Sequence, residues 1–249
     1  MELNEKITGI DKDIYKGQSF YNHMKLVGRV SQIKEKRREY PKYPSPDYEK
    51  DHNYAIEFVV ETKRKSGKSD FIPVVFRTAD EIELEVGERV KIYGRFQCTP
   101  GEHFVSKVVA YDMERLHSSE ENDVSSLQIV AKLSKKSEMR DTPLTQTQIV
   151  DALFFIPGAV NRSEQFHSVC FGKQAYAAEN LMRGDICYIE ARVESRSYIK
   201  QQTGEERVAY EICPYIMKKL TDEHQNYDKS YKHFMTDEIP AKRLNIVKK

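Results

Sequence analysis

Tryptophan is absent from the 249 residues, and the four cysteines, Cys98, Cys170, Cys187 and Cys213, are scattered. No two of them form a C-x-x-C pair and the seven histidines do not cluster beside them, so no metal site is expected. They sit among apolar neighbours, as in Val169-Cys170-Phe171 and Ile186-Cys187-Tyr188, which predicts buried reduced thiols. Long hydrophobic runs are missing too: no window reaches the roughly 18 apolar residues of a membrane span. Met1-Glu2-Leu3-Asn4-Glu5 lacks the basic start and apolar core of a secretory signal, and a cytoplasmic protein is the expectation. Charge of one sign is also scarce. With a formal net charge of +1, attraction to a polyanion must come from a local basic groove. A phosphate-cradling Gly-rich loop, a nucleophile elbow and a metalloprotease helix are all absent, and the acidic residues are dispersed. No enzyme activity and no cofactor are expected.

What is present is enough chain for two ordinary domains of about 100 residues each plus a tail. Hydrophobic residues at 39% and aromatics at 10% are too rich for a disordered chain, while 32% charged residues predict a heavily solvated surface. The most informative feature is an internal repeat at about 95–103 residues, too long for a solenoid and right for a duplicated domain. Leu26-Val27-Gly28-Arg29-Val30 answers to Ile129-Val130-Ala131-Lys132-Leu133, each with a basic residue between small or apolar ones. Gly87-Glu88-Arg89-Val90-Lys91-Ile92-Tyr93-Gly94-Arg95-Phe96 answers to Gly184-Asp185-Ile186-Cys187-Tyr188-Ile189-Glu190-Ala191-Arg192-Val193. Between these anchors lie Phe71-Ile72-Pro73-Val74-Val75-Phe76 and Phe166-His167-Ser168-Val169-Cys170-Phe171. The order is the same twice.

Alternation and short apolar runs predict strands over Tyr54–Thr62, Phe71–Arg77, Arg89–Phe96 and Phe104–Tyr111. Ala79–Leu84 and Gln174–Leu181 read as short helices. Five strands with one short helix between the third and fourth describe an OB-fold, a small Greek-key barrel whose open face binds oligonucleotides. The predicted architecture is all-β: two tandem OB-fold barrels, each with one short helix, and a partly disordered C-terminal tail. Residues 1–21 form an N-terminal arm, 22–115 the first barrel, 116–126 a polar linker, 127–219 the second barrel and 220–249 the tail.

Single strands are held by a positive groove along the phosphates and by aromatic side chains under the bases. The loop after the first strand supplies both, with Lys34, Lys36, Arg37, Arg38, Tyr40, Tyr43 and Tyr48, and its prolines forbid regular structure. A solvated surface insertion is the other reading of this loop. Arg29 on the first strand joins it, and the hairpin carrying Lys63, Arg64 and Lys68 would meet phosphate from the opposite side. In the second copy the matching cations are Lys132, Lys135, Lys136 and Arg140, with Arg196 further on, and Phe166 and Tyr198 are the stacking candidates. Phe71 and Phe171 belong to a set of strand aromatics that alternation alone does not divide between core and surface.

These residues resemble the bacterial single-stranded DNA-binding protein family, and especially its tandem-OB members. Asn22-His23-Met24-Lys25-Leu26-Val27-Gly28-Arg29-Val30 is similar to that family's first strand, and Phe166-His167-Ser168-Val169-Cys170-Phe171-Gly172 to its Trp-His strand. Ser195-Arg196-Ser197-Tyr198 with Gly204-Glu205-Glu206-Arg207 resembles the last hairpin. The resemblance spans roughly Asn22 to Lys218. It implies sequence-nonspecific binding of single-stranded DNA during replication, repair or recombination, with Tyr198, Phe166 and Phe171 at stacking positions. Phe71 aligns with Phe166. It also implies replication or recombination proteins as partners, and a homodimer presenting four barrels. The family's tryptophans and acidic tip have no counterpart in this chain, which closes with Asn245-Ile246-Val247-Lys248-Lys249. Two alternatives stay open: an OB-fold interaction module acting through a protein partner, such as a primosome component, and RNA binding.

Overall fold

The structure, a computed structural model, describes residues 21–38, 54–99, 105–117, 122–143, 145–156, 164–201 and 203–220. Strands β1 (Tyr21–Arg38), β2 (Tyr54–Lys63), β3 (Ser69–Thr78), β4 (Arg89–Thr99) and β5 (Val105–Leu116) form one barrel. β1 pairs antiparallel with both β2 and β4, and β3 runs parallel to β5 at Val74↔Val108, so the order β1-β2-β3-β5-β4 closes on itself. The second barrel comprises β6 (Val124–Lys136), β8 (Gln148–Ile156), β9 (Glu164–Phe171), β10 (Ile186–Ile199) and β11 (Glu206–Lys219). It closes in the same order, with Ser168↔Ile212 as its parallel contact. The short β7 (Arg140–Asp141) is hooked onto the edge of β8, and helix α1 (Lys173–Glu179) follows β9. Both barrels are OB-folds.

The repeat is visible in the backbone. Val30 donates its N–H to the Glu88 carbonyl at 2.8 Å and accepts from Gly87 at 2.8 Å. Leu133 does the same with Asp185 at 2.8 Å and Gly184 at 2.9 Å. Gly87 and Gly184 have φ of 97° and 99°, the left-handed region that a side chain penalises, and the acids that follow, Glu88 and Asp185, accept the Glu85 and Met182 N–H groups at 3.1 and 2.8 Å. Matching bulges complete the picture. β4 shifts register against β5 at Tyr93/Gly94, and β10 against β11 at Glu190/Ala191, leaving Tyr111 and Tyr215 as the extra residues.

The barrels share one sheet. The first half of β1 pairs antiparallel with the first half of β6, from Tyr21↔Val130 to Val27↔Val124. Met24 faces Leu127 at the centre of this register, and both are fully buried. Those two residues are counterparts in the repeat, so a local two-fold axis passes between them. Polar bonds repeat about that axis. The Asn22 side chain donates to the Phe96 carbonyl at 2.8 Å and accepts from the Phe96 N–H at 3.1 Å. Ser125 does both to Val193, at 3.2 Å and 3.0 Å. The buried side chains of the two barrels form one continuous cluster, with Phe96 against Phe166 across the junction at 6.3 Å.

Two expectations fail. Ala79–Leu84 is not helical; it follows β3 as bends and irregular chain. Six residues are too few to nucleate a helix alone, and neither Glu81 nor Glu83 has a cation four residues on. The extended path instead lets Leu84, 2% exposed, plug the barrel. Helix α1 survives because Ala175 and Ala178 bury against Val150 and Cys170, and because Lys136 meets its last carbonyls. Val124, Ser125 and Ser126, read as linker, lie in β6. The N-terminal arm, the tail from 221 and residues 39–53 lie outside the described residues.

All four cysteines are buried, and desolvation pushes Cys98 and Cys187 up to about 12 and Cys170 to about 11, with Cys213 raised as well. A disulfide-exchange reagent at pH 8 should therefore titrate no thiol in the native protein and four after unfolding. A fast native-state thiol would contradict the burial.

Candidate nucleic-acid interface

Side chains of β8 and β9 alternate between the barrel interior and its outer surface. Phe154↔Phe166 and Val150↔Cys170 are interior pairs; Ile149↔Phe171, Asp151↔Val169, Leu153↔His167 and Phe155↔Gln165 are outer pairs. Ile149, Val169 and Cys213, each no more than 9% exposed, form a small apolar cluster separate from the main core, on the outward side of their strands. Phe171 stands at its end, 42% exposed, with His167, Phe155 and Tyr198 half-buried. The acidic groups of this face are matched by arginines: Arg140 to Asp151 at 2.7 Å, Arg196 to Glu211 at 2.6 Å, and Arg192 to Glu194. Exposed and half-buried aromatics among balanced ion pairs are suited to stacking planar groups, and guanidinium planes add to it.

The first barrel reaches this surface through the turn between β2 and β3. Arg64 grips Asp70 with Nε and Nη2 at 2.6 and 2.5 Å, and its Nη1 lies 2.8 Å from Glu194 on β10. Asp70 is 2% exposed and accepts the Ser195 N–H at 2.7 Å, while the Ser195 hydroxyl accepts the Phe71 N–H at 2.9 Å. A buried carboxylate is tolerable only when its lone pairs are taken, and here they are. On the other side of the two-fold, Asn22 donates to Glu164 at 3.0 Å, and burial raises the pKa of that carboxyl.

The residues singled out from sequence meet different fates. Lys34 and Lys36 are exposed on β1. Arg37 is paired with Glu35 at 2.6 Å and Glu57 at 3.0 Å, and Arg38 lies 5.9 Å from the Tyr54 ring. Tyr40, Tyr43 and Tyr48 lie outside the described residues. Arg29 is exposed beside an open cleft at the barrel end shared with Arg89, Arg115 and His117, and it donates to the Gly87 carbonyl at 3.1 Å. Lys63 and Lys68 are exposed, and Lys132 and Lys135 are half-buried on β6. Phe71, 46% exposed, faces outward at the junction, and Phe171, Tyr198 and Arg196 share the second barrel's outer side.

Three assignments are corrected. Phe166 has no exposed surface and is a core residue, so no base can stack on it. Its proposed alignment with Phe71 was one residue out of register. The pairs Val60↔Ile72 and Phe154↔Phe166 make Ile72 its counterpart, and a one-residue slip turns a side chain to the opposite face. Arg64 is committed to the junction between barrels. Lys136 is committed to the Ala178 and Glu179 carbonyls at the end of α1. Phe155 and Ile149 join the outer side through the register of β8 against β9, which the sequence pattern alone does not supply.

No protein-family model matches the chain, and no curated protein matches it. Among solved structures, wild-type single-stranded DNA-binding protein from Thermus aquaticus is similar at TM-score 0.60 and 15% identity, over 81% of this chain and 94% of that one. A deletion mutant of the same protein gives 0.62 at 14% identity, over 82% and 96%. The PriB protein from Ralstonia solanacearum aligns with 39% of this chain and 99% of its own at 19% identity, with a TM-score of 0.31. At these identities the likeness to the Thermus protein is one of fold.

Phe171→Ala and Phe166→Ala should separate surface from core. The first should weaken oligonucleotide binding by about 1–3 kcal/mol with little change in melting temperature. The second should cost about 3–5 kcal/mol of stability. Denaturant melts beside binding isotherms check both, and equal destabilisation by the two variants would remove Phe171 from the surface site.

Proposed function

We propose that the chain binds single-stranded DNA without sequence preference, holding it across two OB-fold barrels and catalysing no reaction. The observation that carries this reading is the outer face of the second barrel, where Phe171, His167, Phe155 and Tyr198 surround a small apolar cluster between balanced ion pairs. Bases stack on the aromatics, while exposed lysines such as Lys34, Lys36, Lys63 and Lys68 neutralise phosphates. Such a surface discriminates against duplex because stacked, paired bases present only their edges. Covering strands opened in replication, repair or recombination, in the cytoplasm, is the role this chemistry fits.

Two copies of the chain would present four barrels. Support comes from the outer side of the shared sheet β5-β4-β1-β6-β10-β11, where the bulge residues Tyr111 and Tyr215 are 61% and 47% exposed. Tyr111 bonds His23 at 2.6 Å and Tyr215 bonds Ser126 at 3.3 Å, so the two-fold places equivalent tyrosines on one broad face. Light scattering at micromolar concentration should give twice the chain mass, and a strict monomer would remove the dimer.

Fluorescence anisotropy of labelled oligo-dT, with duplex DNA and RNA as competitors at two salt concentrations, tests the binding itself. Tight, salt-sensitive binding that duplex does not displace is expected. Lys36→Ala should lower the slope of log affinity against log salt by about 0.7. Efficient competition by RNA would redirect the reading to RNA. No binding at low salt would leave the barrels as an interaction module for a protein partner.

A further inference from the structure

The first barrel has a cleft of about 370 Å³ at the end where β4 begins and β5 finishes. Arg29 of β1, Glu88 and Arg89 of β4, and Arg115, Leu116 and His117 of β5 and just beyond line it, so three guanidiniums meet one carboxylate. Each guanidinium is placed by a contact of its own. Arg89 is held by Asp123 at 2.7 Å, and that carboxylate also accepts the Lys63 N–H at 2.8 Å. Arg29 donates to the Gly87 carbonyl at 3.1 Å. Arg115 is 42% exposed and stops 3.7 Å short of Glu88, whose carboxylate accepts the Glu85 N–H at 3.1 Å. Glu61, opposite Arg29 in register, accepts from Ser69 at 2.6 Å and stands outside the cleft.

The internal repeat supplies a comparison. In the second barrel Lys132, Asp185, Ile186 and Lys219 stand where the first has Arg29, Glu88, Arg89 and Arg115. There Lys219 closes on Asp185 at 2.9 Å, and Ile186 brings no charge. The same turn and strand pairing therefore accept a closed one-to-one pair, and the barrel itself does not need the open arrangement of the first copy. That arrangement adds planar guanidinium forks, which match carboxylates in shape as well as charge. Its surroundings are aliphatic. Val86 stands 63% exposed in the turn beside Gly87, Leu116 lines the cleft, and the His117 imidazole is the one ring in the lining. Bases call for aromatic faces, whereas an acidic peptide calls for arginines beside aliphatic surface. We propose that this cleft docks an acidic segment of a partner protein, with carboxylates on Arg29 and Arg115 and an aliphatic side chain against Val86 and Leu116. The site is separate from the stacking face of the second barrel and does not depend on what that face binds.

The probe is a fluorescein-labelled Glu-Glu-Leu-Glu-Glu peptide, titrated into the full chain at low salt and read by anisotropy. Gln-Gln-Leu-Gln-Gln and Glu-Glu-Ser-Glu-Glu are titrated beside it. Removing the charges should abolish binding, and removing the leucine should weaken it. Arg115→Ala should weaken the acidic leucine peptide about tenfold, the loss of one charge-assisted pair. Glu88→Gln should tighten it, because the carboxylate that competes for Arg115 is gone. Both variants should melt with the parent, and labelled oligo-dT should bind Arg115→Ala as it binds the parent. Peptide binding that neither variant changes would overturn the proposal by putting the peptide elsewhere, and so would no binding at low salt. Loss of oligo-dT affinity in Arg115→Ala, with peptide and oligo-dT displacing one another, would overturn it by giving the cleft to the strand.

Discussion

One strand edge is divided between two barrels, and the rest of the structure depends on that division. The C-terminal half of β1 closes the first barrel against β2, while its N-terminal half pairs with β6 of the second. β6 divides its edge in the same way, between β1 and β8. A strand cannot hydrogen-bond two neighbours on one edge at one place, so each must turn away part of the way along. The bulges at Val30/Gln32 and Leu133/Lys135 make that turn. Without the seam each barrel would leave a run of unpaired N–H and C=O groups, the exposed edge that soluble β-proteins avoid.

The seam also decides what can touch across the junction. Pairing Met24 with Leu127 brings the end of each β4-type strand beside the start of the other barrel's β3-type strand. Asp70 thereby meets Ser195 and Asn22 meets Glu164. Gly28 belongs to this economy of space: a Cβ there would lie 2.2 Å from the Glu61 carbonyl oxygen, so β1 can approach β2 this closely only without a side chain. The aromatic outer face of the second barrel and the basic turn of the first are held together by the same contacts.

Much of the fold was legible because it is local. Strand alternation, the paired Gly-acid turns and the order of anchors all lie within short windows, and the backbone bonds of Val30 and Leu133 show why the windows repeat. The site was less legible, for two physical reasons. Face assignment depends on register, and in a strand as apolar as Phe166–Phe171 a slip of one residue changes core into surface. The commitment of a cation depends on contacts distant in sequence. Nothing near Arg64 announces Glu194, and nothing near Lys136 announces the end of α1. Ala79–Leu84 failed as a helix for a related reason, since Leu84 is more useful plugging the barrel than completing a turn.

The internal two-fold has a genetic consequence. In a barrel that pairs with a second copy of itself, every substitution strikes both sides of the seam together, so a change must suit two places at once. Here each side has its own codons. Asn22 faces Phe96 where Ser125 faces Val193, His23 stands where the other half has Ser126, and Gly28 answers to Ala131. One barrel can therefore change its outer face without forcing the same change on the other, a freedom closed to a symmetric pair.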